Sequence, residues 1–134
     1  MGGTTIYRQL DAAVDVEALT ADKTLTFSDT GKTFLLDAVG EDITLPALKD
    51  GLSFKFRVTA SVTTTPWKII SSTNVIQGYA GVNYATVIGL NENTISFVHT
   101  NAIAGDTVEV FCDGTSWHAT GQGSASGSIT FTAP

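Results

Sequence analysis

The sequence predicts an all-β protein: a single β-sandwich, jelly-roll-like or of related build, with short N- and C-terminal arms. Three observations carry this. About twenty threonines, with many valines, isoleucines and phenylalanines, favour pleated, half-buried chain over helix. Thirteen glycines and three prolines cut the apolar segments into short runs with turn chemistry between them. Two runs, one from Leu52 and one leading into Asp113-Gly114, alternate apolar and polar residues as a half-buried strand requires. With 134 residues, 43% of them hydrophobic and 15% charged, the chain suits one domain with a real core and is too apolar for disorder.

Residues 1–22 read as an N-terminal arm, because the apolar positions of Leu10–Thr20 fit neither the helical nor the strand period cleanly; one helical turn is compatible with them. The β signal begins at Thr24, where Leu25 and Phe27 alternate with Thr24 and Thr26 before a turn at Ser28–Gly31. Strands follow at Thr33–Asp37 and at Ile43–Leu45, the latter stopped by Pro46. Leu52, Phe54, Phe56 and Val58 then alternate with Ser53, Lys55, Arg57 and Thr59. Burying those four side chains stabilises by roughly 1.5–3 kcal/mol each. A slip of one residue would bury two cations instead, so the register is fixed.

Trp67–Ile70 and Asn74–Ile76 read as short strands around a Ser-Ser-Thr turn. Residues 78–93 are glycine-rich and carry Tyr79, Tyr84 and Val87-Ile88; they read either as a functional loop or as an irregular strand pair. Thr94–His99 is a further strand. Next comes a hairpin in which Val108, Val110 and Cys112 alternate with Glu109 and Phe111, Asp113-Gly114 makes a tight two-residue turn of positive φ, and Trp117 anchors the return. The sandwich domain therefore spans 23–121, and 122–134 form a flexible linker with a terminal strand at Ser128–Thr132. That strand can dock on its own sheet or exchange with another subunit.

Reactive chemistry is sparse. Gly31-Lys32-Thr33 lacks the first glycine of a phosphate loop, Thr26 standing there, and it leads into a strand where a helix N-terminus is needed. Gly121-Gln-Gly123 misses the dinucleotide spacing by one residue. Cys112 has no partner for an intrachain disulfide, and its place beside Val108 and Val110 suits a small buried hydrophobe better than a thiolate activated by His99 or His118. One cysteine and two distant histidines make a poor zinc set. Asp37, Glu41 and Asp42 lack the dense alternation of a calcium loop. No catalytic residue, cofactor or metal is expected.

The formal net charge is −6 and all seven basic residues lie at or before Lys68, which argues against nucleic acid as a partner. No apolar run reaches membrane-spanning length and no signal-peptide pattern opens the chain, so no membrane association or export is expected. Trp117 is expected to plug the core, whereas Tyr79 and Tyr84 are better placed to touch a partner.

From about residue 24 to 121 the chain resembles a module that recurs in virion proteins of tailed phages. The matching stretches are Thr30–Leu36, Ile43–Pro46, Gly51–Phe56, Ile69-Ile70 with Val75–Gly78, and Gly105–Val108 with Asp113–Trp117. The resemblance implies a non-enzymatic capsid decoration (cement) protein that binds the major capsid protein on the outer capsid surface as a homotrimer, after synthesis in the host cytoplasm. The other reading it allows is a receptor- or glycan-binding module of a tail fibre or spike. Position and composition point to Ile6, Tyr7, Leu10, Tyr79, Tyr84, Ile129 and Phe131 as the residues that touch the capsid or a neighbouring subunit.

Overall fold

The computed structural model describes residues 15–133, which form two packed β-sheets of seven and five strands. Twelve strands follow in order. They are β1 (Val16–Leu19), β2 (Lys23–Thr24), β3 (Thr33–Leu36), β4 (Asp42–Thr44), β5 (Ser53–Val58), β6 (Trp67–Ile70), β7 (Ile76–Val82), β8 (Ala85–Glu92), β9 (Thr94–Phe97), β10 (Thr107–Cys112), β11 (Trp117–Gly123) and β12 (Ile129–Thr132). Among the described residues the helical structure is a single 3-10 turn at Phe27–Asp29. The expected β-sandwich is thus the observed one.

The first six strands alternate between the sheets. Strands β1, β3 and β5 run parallel in the larger sheet, and β2, β4 and β6 run parallel in the smaller. Parallel neighbours require a crossover, and here each crossover is a strand of the opposite sheet. The chain therefore winds as a flattened coil, in place of the purely antiparallel pairing of a jelly roll. Each turn of the coil stacks like on like: Phe34 faces Phe56 with ring centroids 5.7 Å apart, Leu36 faces Val58, and Ile43 faces Ile69.

The second half of the chain closes this coil with antiparallel strands. Strand β10 pairs with β5, so that Val108 meets Phe56 and Val110 meets Phe54, and β11 returns beside β10. The remaining order in the larger sheet is β11-β7-β8, and β9 and β12 complete the smaller. The strict alternation expected from Leu52 is realised in β5, where each residue of the Phe54–Val58 apolar set is buried and each polar neighbour exposed. Trp67, Trp117, Phe34, Phe56 and Phe97 are fully buried between the sheets. Trp67 donates from Nε1 to the Asp37 carbonyl at 3.0 Å, while Trp117 Nε1 has no partner among the described residues.

Three stretches differ from their sequence reading. Val16–Leu19, expected within an arm with a helical turn, is edge strand β1: Leu19 is buried, and Glu17 is held by Lys23 at 3.2 Å and Lys32 at 2.9 Å. The four residues gain a sheet partner in β3, which local periodicity does not reveal. Asn74–Ile76 is not a strand of its own, since β7 begins at Ile76, and residues 78–93 take the strand-pair alternative: β7 and β8 form a hairpin turning at Asn83 (φ 47°) and Tyr84 (φ 68°), the left-handed pair that a tight two-residue hairpin needs. Its irregularity is a single bulge between Ile76 and Gly78. A side chain at Gly78 would strike the Ala119 carbonyl, so β11 lies close there.

The third is the stretch from 122. Gln122 and Gly123 continue β11, and the chain then crosses to the other sheet in a short turn. Buried Asp106 accepts the backbone N–H groups of Ile103 and Ser124, both at 3.1 Å, and so ties that turn down. Strand β12 docks on β9 of its own chain, with Ile129 opposite Phe97 and fully buried.

Candidate functional site

Period-two alternation puts the side chains between the core positions of β5, β10, β11 and β7 on the outer face of the larger sheet. Two rows of them cross the strands in register. The first runs Ser53, Phe111, His118, Gln77, and the second Lys55, Glu109, Thr120, Tyr79, Ile88. Phe111 and Tyr79 are each 54% exposed, so this face carries aromatic rings where a solvated sheet carries polar residues.

The Phe111 and His118 rings stack at 4.9 Å between centroids and 19° between planes. Asp113 fixes that arrangement. Its Oδ2 lies 2.8 Å from His118 Nε2, and its Oδ1 accepts the backbone N–H groups of Thr115 and Ser116 and the Thr115 hydroxyl, each at 2.9 Å. The His118 contact first, and those donors after it, hold the Asp113 carboxyl well below the usual carboxylate range. A hollow of about 230 Å³ lies between this ring pair and Tyr79, lined also by Gln77 and Thr120. A second, of about 390 Å³, lies on the other side of Phe111 against Lys32, Ser53, Lys55 and Glu109. Phe111 and Thr120 border both, so the two form one groove across β3, β5, β10, β11 and β7.

The charges along the groove are paired within the protein. Lys55 meets Glu109 at 3.1 Å, and Lys32 meets Glu17 at 2.9 Å and Asp29 at 3.0 Å. The hydrogen bond from Lys32, followed by that from Lys23, lowers the Glu17 carboxyl. Asp29 is raised by burial, but the Thr26 N–H and Lys32 outweigh this and leave it lowered.

The sequence-chosen residues fall in four places. Tyr79 lies in the groove, and Tyr84 is fully exposed at the tip of the β7–β8 hairpin. Ile129 is in the core and offers no contact surface while β12 stays docked, whereas Phe131 packs half-buried under Gly89. Ile6, Tyr7 and Leu10 lie outside the described residues. Cys112 is buried on the inner face, away from His118, and His99 sits in a turn after β9 of the other sheet, so the three do not meet. Among the described residues no three His, Cys, Asp or Glu are placed to hold a metal. The carboxylates near Asp37 serve turns: Asp37 accepts the Val39 N–H at 3.0 Å and Asp22 that of Asp42 at 2.9 Å. A hydrogen bond to Asp22 raises the Glu41 carboxyl.

Sequence reasoning missed Phe111 and His118 as site residues. The signal was present, since alternation already set Phe111 beside Glu109 on the wet face of its strand. Among the described residues no helix is long and apolar enough to cross a membrane. The chain matches no family model, no curated protein and no solved structure.

Proposed function

We propose that the chain is a non-enzymatic surface protein of a tailed-phage virion, a capsid decoration protein that adheres to the major capsid protein as a homotrimer. The observation that carries this reading is the contrast between the two edges of the larger sheet. Edge strand β1 is four residues long and ringed by Glu17, Lys23 and Lys32, as an edge protected from pairing should be. Strand β8, the other edge among the described residues, has eight residues without lysine or proline, and it holds Ile88 and Leu90 outward at 69% and 70% exposure. Tyr84 extends the same apolar edge from a left-handed backbone that costs a bulky residue strain. An edge built this way supports adhesion to another protein surface. Trimerisation would multiply weak contacts through effective concentration.

The test is cosedimentation of the purified protein with undecorated phage shells, beside a solution mass measurement. The reading expects saturable binding and a mass three times that of the chain. A monomer that ignores shells overturns it. A second reading, a glycan-binding module, is favoured by the aromatic groove.

A further inference from the structure

We infer that the groove crossing β3, β5, β10, β11 and β7 is a binding site for an uncharged saccharide chain, with Phe111 as its stacking platform. This stands on the groove alone and not on the capsid reading; loss of shell binding would leave it intact.

The argument starts from charge. A site for a nucleotide, phosphate or acidic glycan needs cations left free to meet the ligand. Here Lys32 is taken up by two carboxylates and Lys55 by Glu109, while His118 is engaged by Asp113. A basic ligand would need free carboxylates, and Glu109 and Asp113 are the ones already engaged. The ligand that fits a groove whose charges are internally balanced is neutral.

The remaining chemistry is of two kinds. The half-exposed rings of Tyr79 and of Phe111, whose one face His118 covers, offer flat apolar surface. The Ser53 and Thr120 hydroxyls offer short neutral hydrogen-bonding groups, the Gln77 amide being tied at both ends to Asn91. A pyranose has the complementary form, with an apolar face of C–H bonds and a rim of hydroxyls. A protein surface would instead seek the aliphatic side chains that lie at β8, beyond the groove. Length agrees as well. Five adjacent strands span about 19 Å at the usual inter-strand spacing, room for several sugar units in a row. The stacked His118 keeps the Phe111 ring in one orientation, so little side-chain freedom is lost on binding.

The experiment is a titration of the full chain, followed by amide NMR and calorimetry, with maltohexaose, cellohexaose, N-acetylchitohexaose and mannohexaose, and with polygalacturonate as an acidic comparator. The inference expects at least one neutral hexasaccharide to bind more tightly than its disaccharide, with little dependence on salt, and to shift the amides of Phe111, His118 and Tyr79. Phe111→Ala, at a half-exposed position, should fold normally by its melting curve and weaken binding about tenfold or more. Val39→Ala, an exposed apolar change off the groove, should bind as the parent does. The inference is overturned if none of the neutral probes shifts those amides at millimolar concentration. It is equally overturned if Phe111→Ala binds unchanged, or if binding is confined to polygalacturonate and fades with salt.

Discussion

Asp113 closes the β10–β11 turn with one carboxylate oxygen and holds His118 flat against Phe111 with the other. The turn would form without a charge, since an asparagine can also accept the Thr115 and Ser116 N–H groups. What the charge adds is a stabilisation that depends on pH. The folded state lowers the Asp113 carboxyl, so its contribution is fully present above the ordinary aspartate value of about 3.9 and is lost as the pH falls below it. Asp113→Asn should therefore melt below the parent at neutral pH, with the gap closing as the pH is lowered from about 4 to 2. Melting curves across that range decide the matter, and a gap that stays constant would assign the side chain a purely geometric role. The same substitution should broaden the Phe111 and His118 ring signals, because the imidazole loses its charged anchor.

At the scale of elements, the joint between the sheets depends on one missing side chain. Strand β8 belongs to the larger sheet and β9 to the smaller, with Asn93 between them, so the chain bends from one layer to the other. Asn93 N–H donates to the Thr132 carbonyl of β12 at 3.1 Å, which brings the last strand up to the bend. Phe131 then covers Gly89, where an added Cβ would fall 2.5 Å from the ring. Gly89→Ala should push Phe131 out of place and cost about 1–3 kcal/mol, the usual range for overpacking. Phe131→Ala in the same chain removes the Cγ and Cδ1 atoms that the added methyl meets first and should recover part of that loss, because the two sites touch and their effects are coupled. Denaturant unfolding of both single variants and the double variant measures the coupling. Strict additivity would mean that the strand adjusts elsewhere.

For the whole molecule, what the sequence revealed divides along a physical line. Alternation in β5 and β10 reported burial directly, because a half-buried strand writes its two faces into every second residue. The hairpin at Asp113-Gly114 was legible in place but not in form: Gly114 alone takes a positive φ, 96°, and the loop runs over Asp113–Ser116 where a tight two-residue turn was expected. The parallel coil of β1–β6 was not legible, since β1 and β2 are short and take their stability from partners more than ten residues away. The Ser/Gly stretch after Gly123 resembled a free linker because composition does not show that Asp106, earlier in the chain, anchors it. The groove was half-legible: Tyr79 stood out, while Phe111 passed as one more strand residue. The unguarded edge at β8 could be seen only once topology made it an edge, and it carries the last prediction. Ile88→Lys with Leu90→Lys places two cations on outward positions of that strand, a device by which edge strands resist pairing. Neither residue is buried, so the stability should change by no more than about 0.5 kcal/mol. Solution mass and shell binding should both fall to the monomeric, unbound level. A double variant that still assembles and binds would place adhesion away from β8, whereas one that unfolds would show that the edge supports the core.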